Sequence, residues 1–125
     1  MLNKNEIINI IKELNLKNED YYVGSGSALV LHGIKEFTND VDLAVSDNLW
    51  NLYVKNGFLP NSNNENLMEI SNNVEFIKNW YVDEVVKIEN FPVASLDSLI
   101  KQKRNLGREK DFRDIILIEN FIKNQ

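Results

Sequence analysis

Gly24-Ser25-Gly26-Ser27-Ala28-Leu29-Val30-Leu31, followed after a short connection by Thr38-Asn39-Asp40-Val41-Asp42-Leu43-Ala44-Val45, is the stretch on which the reading of this chain turns. A turn of small residues opens a helical segment, and an Asp-x-Asp pair heads the apolar run after it. Side chains alternate faces along a strand, so Asp40 and Asp42 project to one side while Val41 and Leu43 go to the other. Their carboxylates then lie roughly 6–7 Å apart along the strand, where they can share divalent cations. A Gly/Ser turn leading into a helix offers backbone N–H groups to phosphate oxygens. Together the two elements point to a metal-dependent nucleotide site.

The rest of the chain bounds this reading. Its 125 residues suffice for a single domain, taken here as residues 1–125. With 43% hydrophobic and 26% charged residues, the chain has the composition of a globular protein that buries a core. It contains no cysteine, which excludes disulfides, thiol chemistry and thiolate metal sites. The start, Met1-Leu2-Asn3-Lys4-Asn5-Glu6, lacks the basic-then-apolar pattern of a signal peptide, and no apolar run approaches a membrane span. A cytoplasmic protein without membrane partners is the expectation. A net charge of −5 argues against broad binding to nucleic acid. The charge is uneven, however: Lys101, Lys103, Arg104, Arg108, Lys110 and Arg113 cluster near the C-terminal end, which suits an anion held at one place.

Outward from the deciding stretch, Ile7, Ile8, Ile10, Ile11 and Leu14 follow the spacing of one helical face over Asn5–Leu14. Tyr21-Tyr22-Val23 reads as a short strand entering the turn, 27–31 as helix with Gly33 near its end, and 41–45 as the next strand. Asp47 is placed to cap a helix running to Lys55, with Gly57 ending it. Residues 67–70 and 74–80 read as a hairpin about Ser71-Asn72-Asn73, residues 85–88 as a further strand, and Phe91-Pro92-Val93 as extended chain. Ser95 caps a helix to about Asn105, Gly107 interrupts it, and a last helix spans 111–122. This order predicts an α/β fold, a mixed sheet with helices packed on it.

Each candidate residue also has an ordinary structural reading. An Asp-x-Asp pair occurs at many turns and solvated strand ends, but two carboxylates this close repel unless a cation compensates, and magnesium prefers oxygen ligands. Glu75 is the third carboxylate: Val74 and Phe76 face the core, so Glu75 faces the other way, beside the Asp pair, unless it is simply an exposed strand residue. Glu69 is held in reserve. Gly24, Ser25, Gly26 and Ser27 form the phosphate-holding turn, although glycine serves ordinary turns as well. Lys103, Arg108 and Lys110 flank the Gly107 break and are candidates to reach a triphosphate; solvated helix ends are the alternative. Asp111 and Asp114 read as caps or partners of these cations. His32 has no partner motif and reads as structural. Trp50, Tyr53, Trp80 and Tyr81 read as core, with base stacking as the other option.

Ser25-Gly26-Ser27-Ala28-Leu29-Val30-Leu31-His32-Gly33 and Thr38-Asn39-Asp40-Val41-Asp42-Leu43 resemble the signature of the nucleotidyltransferase superfamily, most like the small bacterial group that includes AbiEii-type toxins. A second segment, from Leu99-Ile100-Lys101-Gln102-Lys103 to Gly107-Arg108-Glu109-Lys110-Asp111-Phe112-Arg113-Asp114-Ile115, is similar to one common in that group. The resemblance implies the nucleotidyltransferase fold, with Asp40, Asp42 and Glu75 as catalytic metal ligands and two Mg2+ ions as cofactors. It also implies transfer of a nucleoside monophosphate from a nucleoside triphosphate to a hydroxyl acceptor, in a toxin or defence setting. The acceptor is left open among tRNA or other RNA, protein and a small molecule. Two positions depart from the family pattern: Ser25 stands where a glycine is usual, and Glu36 where related sequences place an arginine. These departures keep a second class open, a non-catalytic binding module on the same fold acting as antitoxin, inhibitor or regulatory subunit. In a chain this short, a homodimer or partner protein is expected to complete the acceptor site.

Overall fold

Asn3 starts the first helix with a reciprocal cap: its side chain accepts from the Glu6 N–H at 2.9 Å, and the Glu6 carboxylate accepts from the Asn3 N–H at 3.1 Å. In the computed structural model, which describes residues 1–125, this helix is α1 (Lys4–Leu14), with Ile7 and Ile11 buried. A 3-10 turn (Asn18–Asp20) leads to β1 (Tyr21–Gly24), α2 (Ser25–Leu31), β2 (Val41–Val45) and α3 (Asp47–Lys55). Then come β3 (Leu67–Ser71), β4 (Val74–Ile77), β5 (Val85–Ile88), β6 (Phe91–Ala94), α4 (Leu96–Leu106) and α5 (Glu109–Lys123).

The strands form one six-stranded sheet in the order β3-β4-β2-β1-β6-β5. It is mixed: β1 runs antiparallel to β2 and parallel to β6, β2 runs parallel to β4, and β3–β4 and β5–β6 are antiparallel hairpins. The pleat sorts the residues. Val23, Val41, Leu43, Phe76 and Val93 have no solvent exposure and join Ile7, Leu29, Leu49, Leu99 and Ile118 in a single apolar core to which every helix contributes. Tyr22, Asp42, Ala44 and Glu75 fall on the opposite face, because each alternates with a core residue.

Several boundaries depart from the sequence expectation for local reasons. The small-residue turn is itself helical: α2 begins at Ser25 with Gly24 as its N-cap, and not at Ser27. Ser46, in extended geometry, caps α3 by accepting from the Leu49 N–H at 3.2 Å, leaving Asp47 in the first turn. The second hairpin strand stops at Ile77 rather than Trp80, since Asn79 takes a positive φ of 59° and the chain turns away. The extended segment about Pro92 is a full strand, whose Pro92 pairs with Lys87 on β5. Gly107, at φ 66°, ends α4 in the left-handed conformation, and α5 begins two residues earlier than the apolar periodicity suggests.

α2 is fastened to the sheet by one side chain. The Ser27 hydroxyl donates to the Gly24 carbonyl at 2.8 Å and accepts from the Asp42 N–H at 3.1 Å, with no exposure to solvent. Ser27→Ala leaves a buried N–H and a buried carbonyl without this partner. The expected cost is about 1–3 kcal/mol, read as a lower urea midpoint with an unchanged m-value.

Candidate functional site

The β1–β2 register places Gly24 opposite Asp42, so the start of α2 and the head of β2 meet at one edge of the sheet. Asp40 lies just before β2 and Asp42 is its second residue; both open on a cavity of about 360 Å³. Ser25, Gly26 and Thr38 line it on the α2 and β2 side, and Lys35, Lys103, Arg108, Lys110 and Arg113 line it with Asp111 and Asp114. No hydrophobic residue lines it. Close approach there requires glycine: a Cβ on Gly26 would stand 2.7 Å from the Thr38 hydroxyl oxygen. Ser25 holds a left-handed φ of 51°, a conformation that costs an L-residue roughly 1 kcal/mol or more.

Glu75 reaches the acidic edge from the neighbouring strand. In the parallel β2–β4 pair it is the register partner of Asp42, and across β3–β4 it pairs with Glu69. Asp42, Glu75 and Glu69 therefore form a row across three strands, with Asp40 at its head. Glu75 and Glu69 also border an adjoining polar groove with Ser71 and Asn72. The row is electrostatically frustrated. Burial pushes the Asp42 carboxyl up to about 7, reinforced by Glu75 and Asp40, while the Ser25 hydroxyl pulls the other way. Glu75 is likewise raised, by burial first and then by Asp40 and Glu69. An all-oxygen donor set with excess negative charge fits a hard divalent cation in its chemistry. Its side chains are not closed into a cage, as no group of three acidic or histidine side chains stands in ion-holding geometry.

The cationic wall is built on the α4–α5 break. Asp111 is fully buried; its carboxylate accepts from the Arg108 N–H at 3.2 Å and from the Arg108 guanidinium at 2.7 and 3.2 Å. That fork, with Lys103 behind it, holds Asp111 below the ordinary carboxylate range. Asp114 is pushed up by burial but more than compensated by Lys35 at 2.7 Å and Lys103 at 3.0 Å, so it too ends low. Lys103 is 5% exposed and is clamped between the two aspartates. Arg113 pairs with Glu109 at 3.5 Å, while Lys110 has no ion-pair partner. The five cations outnumber Asp111 and Asp114 by three, and Glu109 on Arg113 reduces that excess to two.

The sequence candidates thus separate. Asp40, Asp42, Ser25, Gly26, Lys103, Arg108 and Lys110 share the cavity, and Glu75 adjoins it. Gly24 and Ser27 do not reach it: Gly24 caps α2 beneath the Trp80 indole, and Ser27 is enclosed with its hydroxyl engaged on both sides. Both position the site rather than face it. Lys101, from the same basic cluster, pairs with Asp83 away from the cavity. Lys35 was not singled out in the sequence, and Thr38 entered only as the first residue of the quoted motif. Lys35 brings a cation to the cavity beside exposed Glu36, the position where an arginine was expected; a cation displaced by one residue was the signal available. His32 ties α2 to β6 through a 2.8 Å contact between Nε2 and the Ala94 carbonyl, clear of the acidic row. Trp50 is core, as is Tyr53 in part, stacked edge-on against Phe76 at 4.7 Å.

No protein-family model matches this chain, and no curated protein matches it.

The frustrated carboxyl has a measurable consequence in metal-free protein. A carboxyl raised in the folded state binds its proton more tightly there than in the unfolded chain, so its contribution to stability falls as pH rises from about 4 to about 7. Asp42→Asn is therefore expected to gain on wild type in thermal stability across that window, by up to a few kcal/mol at pH 8. Millimolar magnesium is expected to raise the wild-type melting temperature at pH 8 and to have a much smaller effect on the variant. Parallel behaviour of both proteins at every pH would refute the account.

Proposed function

We propose that this protein is a magnesium-dependent nucleotidyltransferase, moving a nucleoside monophosphate from a nucleoside triphosphate to a hydroxyl acceptor. The observation that carries the reading is the polar cavity with its charge divided by sign: Asp40 and Asp42 on the sheet side, with Glu75 next in register, and a net cationic wall on the helical side. A triphosphate with its metal ions presents the same division, with cations toward the carboxylates and phosphate oxygens toward lysine and arginine.

Asp40, Asp42 and Glu75 are the residues that would hold magnesium, which when bound lowers the pKa of an acceptor hydroxyl and offsets charge on the triphosphate and the departing pyrophosphate. The remaining roles belong to the chain. Ser25 and Gly26 line the cavity at the start of α2, where backbone N–H groups lack intrahelical acceptors and are free for phosphate oxygens. Lys110, unpaired, is the cation most available to a phosphate. Lys103 and Arg108 shape the wall through Asp111 and Asp114, so their positive charge is held in place before any ligand arrives. The Asp42 carboxyl, pushed up to about 7 by burial and its acidic neighbours, gives up its proton more readily when a cation enters.

A test is incubation of the purified protein with magnesium and each α-labelled nucleoside triphosphate in cell extract. Label is expected on one acceptor class, and Asp42→Asn or Asp40→Asn is expected to reduce it by at least a hundredfold. Lys110→Ala is expected to raise the KM for the triphosphate about tenfold, the worth of one charge-assisted hydrogen bond. Metal-dependent nucleotide binding with no label transferred by either protein would instead favour a binding module on this fold.

A further inference from the structure

The largest cavity of the protein lies on the same sheet face as the acidic row, and nothing in the proposed phosphate chemistry uses it. It holds about 510 Å³ and is lined by Tyr22, Trp80 and Tyr81, among other residues. Its floor includes Ala44, two residues beyond Asp42 on β2 and so roughly 6–7 Å along the same face. Trp80 relates this cavity to the acidic row. Its ring packs against Gly24, where a Cβ would stand 3.1 Å from the indole, and Gly24 is the register partner of Asp42. The aromatic wall is fixed from behind, since the Tyr22 hydroxyl donates to the Trp80 carbonyl.

The charge around this cavity has one sign. Glu19, Asp20 and Asp47 contribute carboxylates, and no lysine, arginine or histidine lines it. Asp20 is partly engaged, accepting from the Ser46 hydroxyl at 3.0 Å, whereas Glu19 and Asp47 are exposed and have no ion-pair partner. Aromatic faces attract cations through their quadrupoles, and carboxylates at the rim add to that attraction. The same rim repels a polyphosphate backbone. A pocket of this volume takes a small molecule of drug-like size.

We infer that this cavity binds a small organic cation, an amine carrying a flat or apolar body and a hydroxyl at its far end, and that this molecule is the acceptor. The second half rests on the nucleotidyl-transfer reading above; the binding itself does not. The ammonium lies toward Glu19 and Asp47, the apolar body lies against Trp80 and Tyr81, and the far end points along β2 toward Asp42. The step at that end is a substitution at the α-phosphorus: the acceptor oxygen forms a new bond to phosphorus, the bond to the leaving pyrophosphate breaks, and the hydroxyl proton passes to solvent or to a carboxylate of the row.

Calorimetry with tryptamine, neutral ethylindole and anionic indoleacetate as probes tests the site without any catalysis. Tryptamine is expected to bind at least tenfold more tightly than ethylindole, with no detectable binding of indoleacetate. Tyr81→Ala removes a ring that is 80% exposed and should not disturb folding. It is expected to weaken tryptamine and ethylindole alike, about fivefold, the worth of one aromatic–aromatic contact. Glu19→Gln with Asp47→Asn is expected to weaken tryptamine similarly and to leave ethylindole unchanged. Equal binding of the three probes, or competitive displacement of tryptamine by a single-stranded oligonucleotide, would overturn the proposal. Tyramine, magnesium and labelled triphosphate then separate the two readings: amine binding without label transfer to any acceptor rejects nucleotidyl transfer and leaves the cation site standing.

Discussion

The antiparallel pairing of β1 with β2 controls the geometry of everything functional here, and a single buried hydroxyl holds it closed at its open end. Ser27 bonds the Gly24 carbonyl and the Asp42 N–H together at the point where β1 gives way to α2. Because Gly24 is also the register partner of Asp42, this clamp decides how far the α2 turn stands from the acidic row. A slip of one residue in β2 would send Asp42 into the core and Val41 or Leu43 out of it. The apolar alternation forbids that slip, so the packing that stabilises the sheet also aims the carboxylates. Gly26 and Thr38 continue the constraint, as the cavity lining leaves no space for a Cβ between them.

Charge is handled in two contrasting ways within a few ångströms. On the helical side, Asp111 is completely enclosed, yet it receives an arginine fork, a backbone N–H and a nearby lysine. Burying a charge is tolerable when it is paired and hydrogen-bonded, and this one is. Asp111 and Asp114 thereby lock Lys103, Arg108 and Lys35 into a rigid positive wall whose own acids stay ionised. On the sheet side, Asp42 has only carboxylates as its charged neighbours and a serine hydroxyl for relief. The two arrangements line one cavity, so an incoming ligand meets charges of both signs there.

Much of this was legible in the sequence because it depends on local periodicity. Val41–Val45 is the strand that alternation calls for, and Glu75 between Val74 and Phe76 had to leave the core once those two entered it. The Gly107 break and its flanking cations were equally readable, since glycine at a helix end and an apolar spacing on either side are local signals. What escaped was set by distance in the chain. Whether Ser27 faces a ligand or the interior depends on the position of Asp42, fifteen residues on. Lys35 enters the cavity only because α5 brings Asp114 to it. The aromatic cavity joins Tyr22 to Trp80 and Tyr81 across 58 residues or more, a juxtaposition that no spacing rule encodes. The end of β4 was misplaced because Val74–Trp80 has strand composition throughout, and the turn is made by Asn79 adopting a positive φ.

The contrast between the two acids bears on the energetics of the row. A chain that gives Asp111 three hydrogen-bond donors and a nearby lysine is well able to neutralise a buried carboxylate. At Asp42 it does not: the nearest charged groups are Glu75 and Asp40, and the carboxyl is driven up to about 7 at a cost to the folded state. Asparagine or threonine at that position would keep the strand and remove the repulsion. Departures from local stability of this kind concentrate where a protein binds or reacts, because only a ligand can repay them. The cavity is thus acidic at Asp40 and Asp42 and carries a cation without an ion-pair partner at Lys110. Ser25 fits the same logic: it accepts a strained left-handed backbone where glycine would be relaxed, and it supplies the one hydroxyl that eases Asp42. Strain and repulsion thus meet at a single point of the fold, the junction of β1, α2 and β2.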